Sequence, residues 1–166
     1  MMQQHLISIL TPFKNTALFL ETCIASIQNQ TYTHWELLII DDHSTDNSFN
    51  IVNNYTRKDP RIKLFKNKGF GIIDALQFAF SKSSGAFITR MDSDDIMHAR
   101  KLEVLSNNLL QYGKKHVAVG LVKYFAENGV KAGYMRYENW LNILTKSGTN
   151  YNEIYKECVI PSPCWM

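Results

Sequence analysis

Two apolar runs in this chain each stop on a cluster of acids. The first is Leu37-Leu38-Ile39-Ile40-Asp41-Asp42-His43-Ser44-Thr45-Asp46, and the second is Ala86-Phe87-Ile88-Thr89-Arg90-Met91-Asp92-Ser93-Asp94-Asp95. A run of β-branched and large apolar residues fits a parallel strand buried on both faces. Such a strand delivers its acids to the C-terminal edge of the sheet, where open α/β sheets bind their ligands. Two of them, about fifty residues apart, can bring several carboxylates to one crevice. A hard divalent cation and a phosphorylated ligand would offset their repulsion there. The residues alone point to a nucleotide site.

The rest of the chain supplies matching elements. Residues 6–10 read as a first strand, stopped by Thr11-Pro12, and 17–30 as a helix with Leu18, Leu20, Ile24 and Ile27 at helical spacing. Asn15 or Thr16 is available as its cap. A second strand covers 36–40, and Ser44-Thr45-Asp46-Asn47 caps a helix carrying Phe49, Ile51, Val52 and Tyr55. Asp59-Pro60 breaks that helix ahead of a third strand over 61–65. Gly69-Phe70-Gly71 opens a helix over 72–82, which Gly85 terminates. A fourth strand spans 86–91, a helix 98–112 and a fifth strand 117–125. Alternation of this kind predicts an α/β fold with a mainly parallel, helix-flanked sheet.

Composition narrows the class. At 166 residues and 45 % hydrophobic, the chain fits one domain with a substantial core. A net charge of +3 is too small to argue for nucleic acid, though it permits weak contact with anionic lipid. Cys23, Cys158 and Cys164 lack a C-x-x-C spacing and fit a reduced, cytoplasmic protein. The histidines show no metal-ligand spacing. The first residues lack the basic region and apolar run of a signal peptide, and no later segment reaches membrane-spanning length.

The order of the segments resembles the family 2 glycosyltransferases, whose nucleotide-sugar domain is the GT-A fold. Ile7-Ser8-Ile9-Leu10-Thr11-Pro12-Phe13-Lys14-Asn15 resembles their opening strand and pyrimidine-contacting loop. Ser26-Ile27-Gln28-Asn29-Gln30-Thr31-Tyr32, Trp35 to Asp42, Asn67-Lys68-Gly69, Ser84 to Ile88 and Met91-Asp92-Ser93-Asp94-Asp95 continue the match in order. The resemblance implies a core over residues 1–133 and the start of an acceptor-side region over 134–166. That second region is aromatic-rich, reads as helices over 138–146 and 151–158, and includes Tyr137-Glu138-Asn139-Trp140. Its apolar ending, Pro161 to Met166, reads as an interrupted strand of a C-terminally truncated protein.

By this resemblance Asp92-Ser93-Asp94 is the D-x-D motif, with Asp94 the direct ligand of Mn²⁺ or Mg²⁺. Asp92 would act through water or the ribose, and Asp95 would lie toward the sugar. The bland alternative is that three acids after a strand merely cap the next helix. Asp42 is the candidate for recognising the base, since a carboxylate accepts the uracil imide N–H, and Asp41 would support the turn. His43 stands where the family commonly has glycine. Thr11, Pro12, Phe13 and Asn15 match positions lining the base pocket, with Phe13 equally able to be ordinary core. Lys68 and the Gly69-Phe70-Gly71 turn approach the ribose or diphosphate, or simply start a helix. Arg90 reads as structural, and Ala99 stands where relatives usually have proline.

The catalytic base that inverting members carry, often within a Glu-Asp pair, has no counterpart here, and none is assigned. The resemblance implies a metal-dependent inverting transferase of a nucleotide-diphospho-sugar, with a UDP-sugar as donor. Its acceptor would be a glycan or glycolipid, and it would work at the cytoplasmic face of the membrane as a monomer or homodimer. A nucleotidyltransferase is the rival, but its glycine- and basic-rich loop after the first strand is replaced by Thr11-Pro12-Phe13-Lys14-Asn15. A binding module without activity is the other alternative. A Rossmann dehydrogenase would need G-x-G-x-x-G after that strand.

Overall fold

Strand β1 (Ile7–Phe13) runs through the middle of a four-stranded sheet, buried at every residue. β2 (Trp35–Asp41) lies on one side of it and is equally buried, with β3 (Ile62–Lys66) beyond; β4 (Phe87–Arg90) lies on the other side. The order is β3-β2-β1-β4, and every pairing is parallel. This is a computed structural model, and it describes residues 5–166. Full burial of β1 and β2 explains their continuous apolar sequence: both faces need hydrophobic side chains.

The helices cover the two faces unequally. α1 (Ala17–Gln28), α2 (Ser48–Thr56) and α4 (Lys101–Tyr112) serve the larger core, where Ile9, Leu37 and Ile39 meet Leu20, Ile24, Val52 and Leu102. α3 (Gly71–Lys82) packs on the opposite face through Ala75 and Ala79, against Leu10, Leu38 and Ile40. On that same face Glu36 is buried. Its carboxylate accepts from Ser8 Oγ at 2.7 Å, Ser84 N at 2.8 Å and Lys63 Nζ at 2.7 Å. Burial alone would raise its pKa, but these bonds outweigh it and hold the group at about 2. No helix among the described residues is long and apolar enough to cross a membrane.

The structure departs from the sequence expectations in instructive places. β1 does not stop at Thr11-Pro12 but continues to Phe13. Successive residues of a strand turn their amides to opposite sides, and Leu10 O accepts from Met91 N on the β4 side. Pro12 therefore turns its missing N–H to that side, beyond the last β4 pair at Leu10–Arg90, where no ladder bond is lost. Gly85 does not end α3, which closes at Ser83. It is needed for close approach instead, since a Cβ there would lie 2.6 Å from Ser8 N.

The expected fifth strand over 117–125 is not one. It makes an isolated antiparallel bridge, Val119 with Trp165, supported by bonds between Ala118 and Met166 and from Gly120 N to Cys164 O. Farther along, side chains from α5 (Ala132–Ser147) occupy the backbone groups that a neighbouring strand would use. Asn142 Oδ1 accepts from Val122 N at 2.9 Å, and Glu138 Oε2 from Tyr124 N at 2.7 Å. The expected helix over 151–158 is replaced by a single 3₁₀ turn, Asn150–Glu153. α5 itself is longer than the expected 138–146 and ends on Gly148 in the left-handed region.

Candidate nucleotide-binding edge

Because all four strands are parallel, the loops after β1, β2 and β4 leave the same edge of the sheet. Asp42 follows β2 and the Asp92–Asp95 loop follows β4, so the two acid clusters flank the end of β1. The sheet thus brings together the acids that the sequence places about fifty residues apart. Asn15 laces the first two loops. Its Oδ1 accepts from Thr45 N at 2.8 Å, while its own N–H donates to Ser44 Oγ at 3.1 Å. Its φ of 53° is in the left-handed region that Asn tolerates.

The β2 acids are built into their surroundings. Asp41 Oδ1 accepts from Ser44 N at 3.0 Å, the turn-supporting role expected of it. Asp42 is buried, and its Oδ1 accepts from Asn67 Nδ2 at 2.7 Å and Gly71 N at 3.0 Å. Lys14 Nζ lies 3.9 Å from Oδ2. Burial pushes the Asp42 pKa up, yet the bonds from Asn67 and Gly71 and the Lys14 charge bring it below its ordinary value. Asp42 thereby fastens the 67–71 turn to β2. His43, next in the chain, has φ 60°. Its ring stacks on Phe70 with centroids 4.6 Å apart, and its Nε2 is 2.9 Å from Gly69 O.

The acids after β4 are treated differently. Asp92 Oδ1 accepts from Arg90 Nε at 2.7 Å, which gives Arg90 the structural part expected of it. Ser93 is buried, and Asp94 is exposed with no hydrogen bond or ion pair among the described residues. Burial, then the charges of Asp92 and Asp94, push the Asp95 carboxyl up to about 6. The thiol of Cys23, which donates to Asp92 O, is raised to about 12 by burial and by the same three acids.

Three expected residues are buried. Phe13 is 3 % exposed and packs in the larger core, so its ring is not presented to the crevice. Thr11 is fully buried, and its hydroxyl has no partner among the described residues. Pro12 is buried as well. Lys68 turns toward α3, with Nζ 5.3 Å from the Phe78 ring centroid. Asp46 does act as a cap, but of two helices: Oδ1 accepts from Ser48 N and Oδ2 from Ala17 N.

Lys101, in the first turn of α4, plays no part in the sequence reading. In the structure Nζ donates to Thr89 Oγ1 at 3.1 Å, and burial lowers the ammonium to about 8 against the opposing pull of Cys164, Asp95 and Asp92. It lines a cavity of about 770 Å³ together with Asp95, Val104, Leu121, Phe125 and Glu138. That space opens beside the second acid cluster, and no single segment of sequence outlines it.

A parallel sheet with acidic loops gathered at one edge is an open α/β domain with an acidic crevice where such sheets bind their ligands. The family model described as glycosyl transferase family 2 matches residues 8–166, and the chain belongs to that family. It is 42 % identical over 111 residues to an uncharacterized glycosyltransferase of Haemophilus influenzae, covering 66 % of this chain and 44 % of that protein. It is 39 % identical over 123 residues to the Escherichia coli UDP-Glc:alpha-D-GlcNAc-diphosphoundecaprenol beta-1,3-glucosyltransferase WfgD, covering 70 % and 48 %. The chain thus spans less than half the length of these relatives.

Solved structures agree on the fold. Staphylococcus aureus TarS 1–349 in complex with UDP superposes with a TM-score of 0.63 and 25 % identity, over 76 % of this chain and 37 % of that one. The Pyrobaculum calidifontis mannosyltransferase PcManGT, in complex with GDP-Man and Mn²⁺, gives 0.66 at 23 %, over 74 % and 37 %. The fold is that of the GT-A glycosyltransferases.

Proposed function

We propose that this chain carries the donor half of a metal-dependent, inverting glycosyltransferase that uses a UDP-sugar. The transferred sugar would go to a hydroxyl of a glycan or glycolipid in cell-surface polysaccharide synthesis at the cytoplasmic face of the membrane. The observation that carries the reading is the placement of Asp42 and Asp94 on one sheet edge, either side of β1. The relatives named above add support, since one acts on a UDP-linked glucose and TarS was solved with UDP.

The donor set fits a hard cation held partly by substrate. Among the described residues no three His, Cys, Asp or Glu side chains form a ready-made cage. Asp94 is unpartnered and Asp92 retains one oxygen beyond its Arg90 bond. Mg²⁺ and Mn²⁺ sites of this kind take one or two carboxylates and complete the shell with phosphate oxygens and water. Bound there, the ion would hold charge on the departing diphosphate. Asp42 would accept the imide N–H of the base on a lone pair that its bonds from Asn67 and Gly71 leave free, and a base without that donor would forgo the bond. Residues 1–133 form the donor core in this reading, and 134–166 begin the acceptor side. No residue is assigned as base.

A panel of nucleoside diphosphates and triphosphates, with and without Mn²⁺, tests this by thermal shift. Stabilisation greatest with UDP plus metal is expected. Stabilisation by triphosphates alone would favour a nucleotidyltransferase and end the donor reading.

A further inference from the structure

We propose that Phe70, held flat by His43, is the platform on which the nucleobase stacks in this crevice. The proposal rests on the nucleotide-donor reading above and adds two residues to it. A planar base in a solvated crevice gains most from an aromatic face, and such stacking tolerates different bases. The aromatic expected from β1, Phe13, cannot serve, because its ring lies in the core. On the turn that Asp42 fastens to β2, Phe70 is 80 % exposed.

Exposure alone does not single it out, since Leu18 and Phe80 are exposed on this surface too. Phe70 is, however, unusually well held for a surface ring. Its N–H donates to Asp74 Oδ2 at 3.0 Å, and the next amide, Gly71 N–H, donates to Asp42. One face rests on the His43 imidazole, with 22° between the planes. The other side of the ring is left to solvent. A single backbone unit thus fixes the position of the ring relative to the carboxylate that would read the base.

His43 adds an independent observation. With φ 60° it occupies the left-handed region, uncommon for residues other than glycine although histidine visits it more than most. Backbone strain of this kind concentrates at functional sites. A glycine at this position would relieve the strain but would leave Phe70 without its support. Division of labour follows: Phe70 supplies affinity for any base, and Asp42 selects one with an imide N–H.

Calorimetry on this chain tests the platform, using UDP, UMP and inorganic diphosphate, each with Mn²⁺ and with EDTA. Phe70→Leu should weaken UDP and UMP by at least about fivefold, the lower end of base–aromatic stacking. The factor should be the same with and without metal, and diphosphate binding should not change. Phe70→Tyr keeps the ring and should stay within about twofold of wild type. His43→Gly should weaken UDP while Tm holds or rises, an outcome that a purely structural His43 would not produce. Equal UDP affinity of Phe70→Leu and wild type, or a loss confined to the metal-dependent part, would overturn the platform and leave the donor reading standing. Failure of wild type to bind any nucleotide would remove both.

Discussion

The acids of β2 and the acids after β4 sit at neighbouring places in one sheet and meet opposite electrostatic fates. Glu36 at the start of β2 and Asp42 just past its end are buried, multiply hydrogen-bonded and held below their ordinary pKa values. After β4, Asp94 has no partner among the described residues, and burial with two neighbouring charges raises Asp95 to about 6. Hydrogen bonds to the charged form stabilise a carboxylate, whereas burial beside like charge destabilises it. The difference separates acids that build the edge from acids that the fold leaves without full partners. Asp42 organises a turn before anything binds. The second cluster has Arg90 bonded to Asp92 but leaves Asp94 without a partner among the described residues, the place that a cation would fill in the proposed function.

The largest contrast should appear on acidification. Glu36 has its folded pKa depressed from 4.5 to about 2, so its stabilisation is full above the unfolded value and is lost as pH falls from 4.5 toward about 2. The shift corresponds to roughly 3 kcal/mol. Asp59, bonded by Arg61 and Gln28 and also at about 2, should act in the same direction. Urea unfolding at a series of pH values should show this fall, and Glu36→Gln should flatten it. An unchanged acid dependence in that variant would mean that the partnered acids contribute little.

Next in size is Asp42→Ala. It strands the Asn67 amide and the Gly71 N–H and should cost about 2 kcal/mol in urea unfolding. Asp94→Asn should do the reverse to the fold, leaving stability equal or slightly higher because like charge is removed. Its cost should fall on ligand: metal-dependent UDP affinity should drop by about tenfold or more, about 1.4 kcal/mol per tenfold. Chelation with EDTA should reduce wild type to the level of the variant. Equal affinities with Mn²⁺ would reduce the second cluster to a helix cap, and the comparison would collapse.

The smallest effect belongs to Asp46→Asn. Asp46 uses both oxygens, one on Ser48 N and one on Ala17 N, and asparagine retains one acceptor. Tm should fall slightly while UDP affinity stays nearly unchanged. A loss of affinity as large as that of Asp94→Asn would show that the first acidic loop contacts the donor more widely than Asp42.

Much of this architecture was legible because fully buried parallel strands leave an unmistakable signature. Leu37 to Ile40 has no polar interruption, and the acids that end it mark the edge. Strand limits were less legible where pairing, not composition, decides them. Pro12 belongs to β1 only because β4 has already ended beside it. Residues 117–125 have the composition of a strand, yet Glu138 and Asn142 claim the backbone of Val122 and Tyr124. Gly85 looked like a helix stop and is a contact with Ser8, a distinction that depends on three-dimensional proximity. At the site, the sequence brought Asp42 and Asp94 to one edge and named Phe13 as the aromatic beside the base pocket. Phe13 is in the core and Phe70 is outside, and only packing decides between them.

The pairing of β1 with β4 also has a consequence in time. It joins Ile7 to Phe87, so the strand made first must wait for most of the donor edge to be synthesised. Local hairpins are absent from this sheet, and each parallel pairing needs a crossover to close first. Contacts of such long sequence separation slow folding and leave apolar strands uncovered meanwhile. During that interval β1 has β2 along one edge and α1 and α3 over its faces, but its other edge stays unpaired. The crevice that flanks β1 is therefore among the last features of the domain to form, and an arrest before residue 87 would leave an aggregation-prone edge where the second acidic loop belongs.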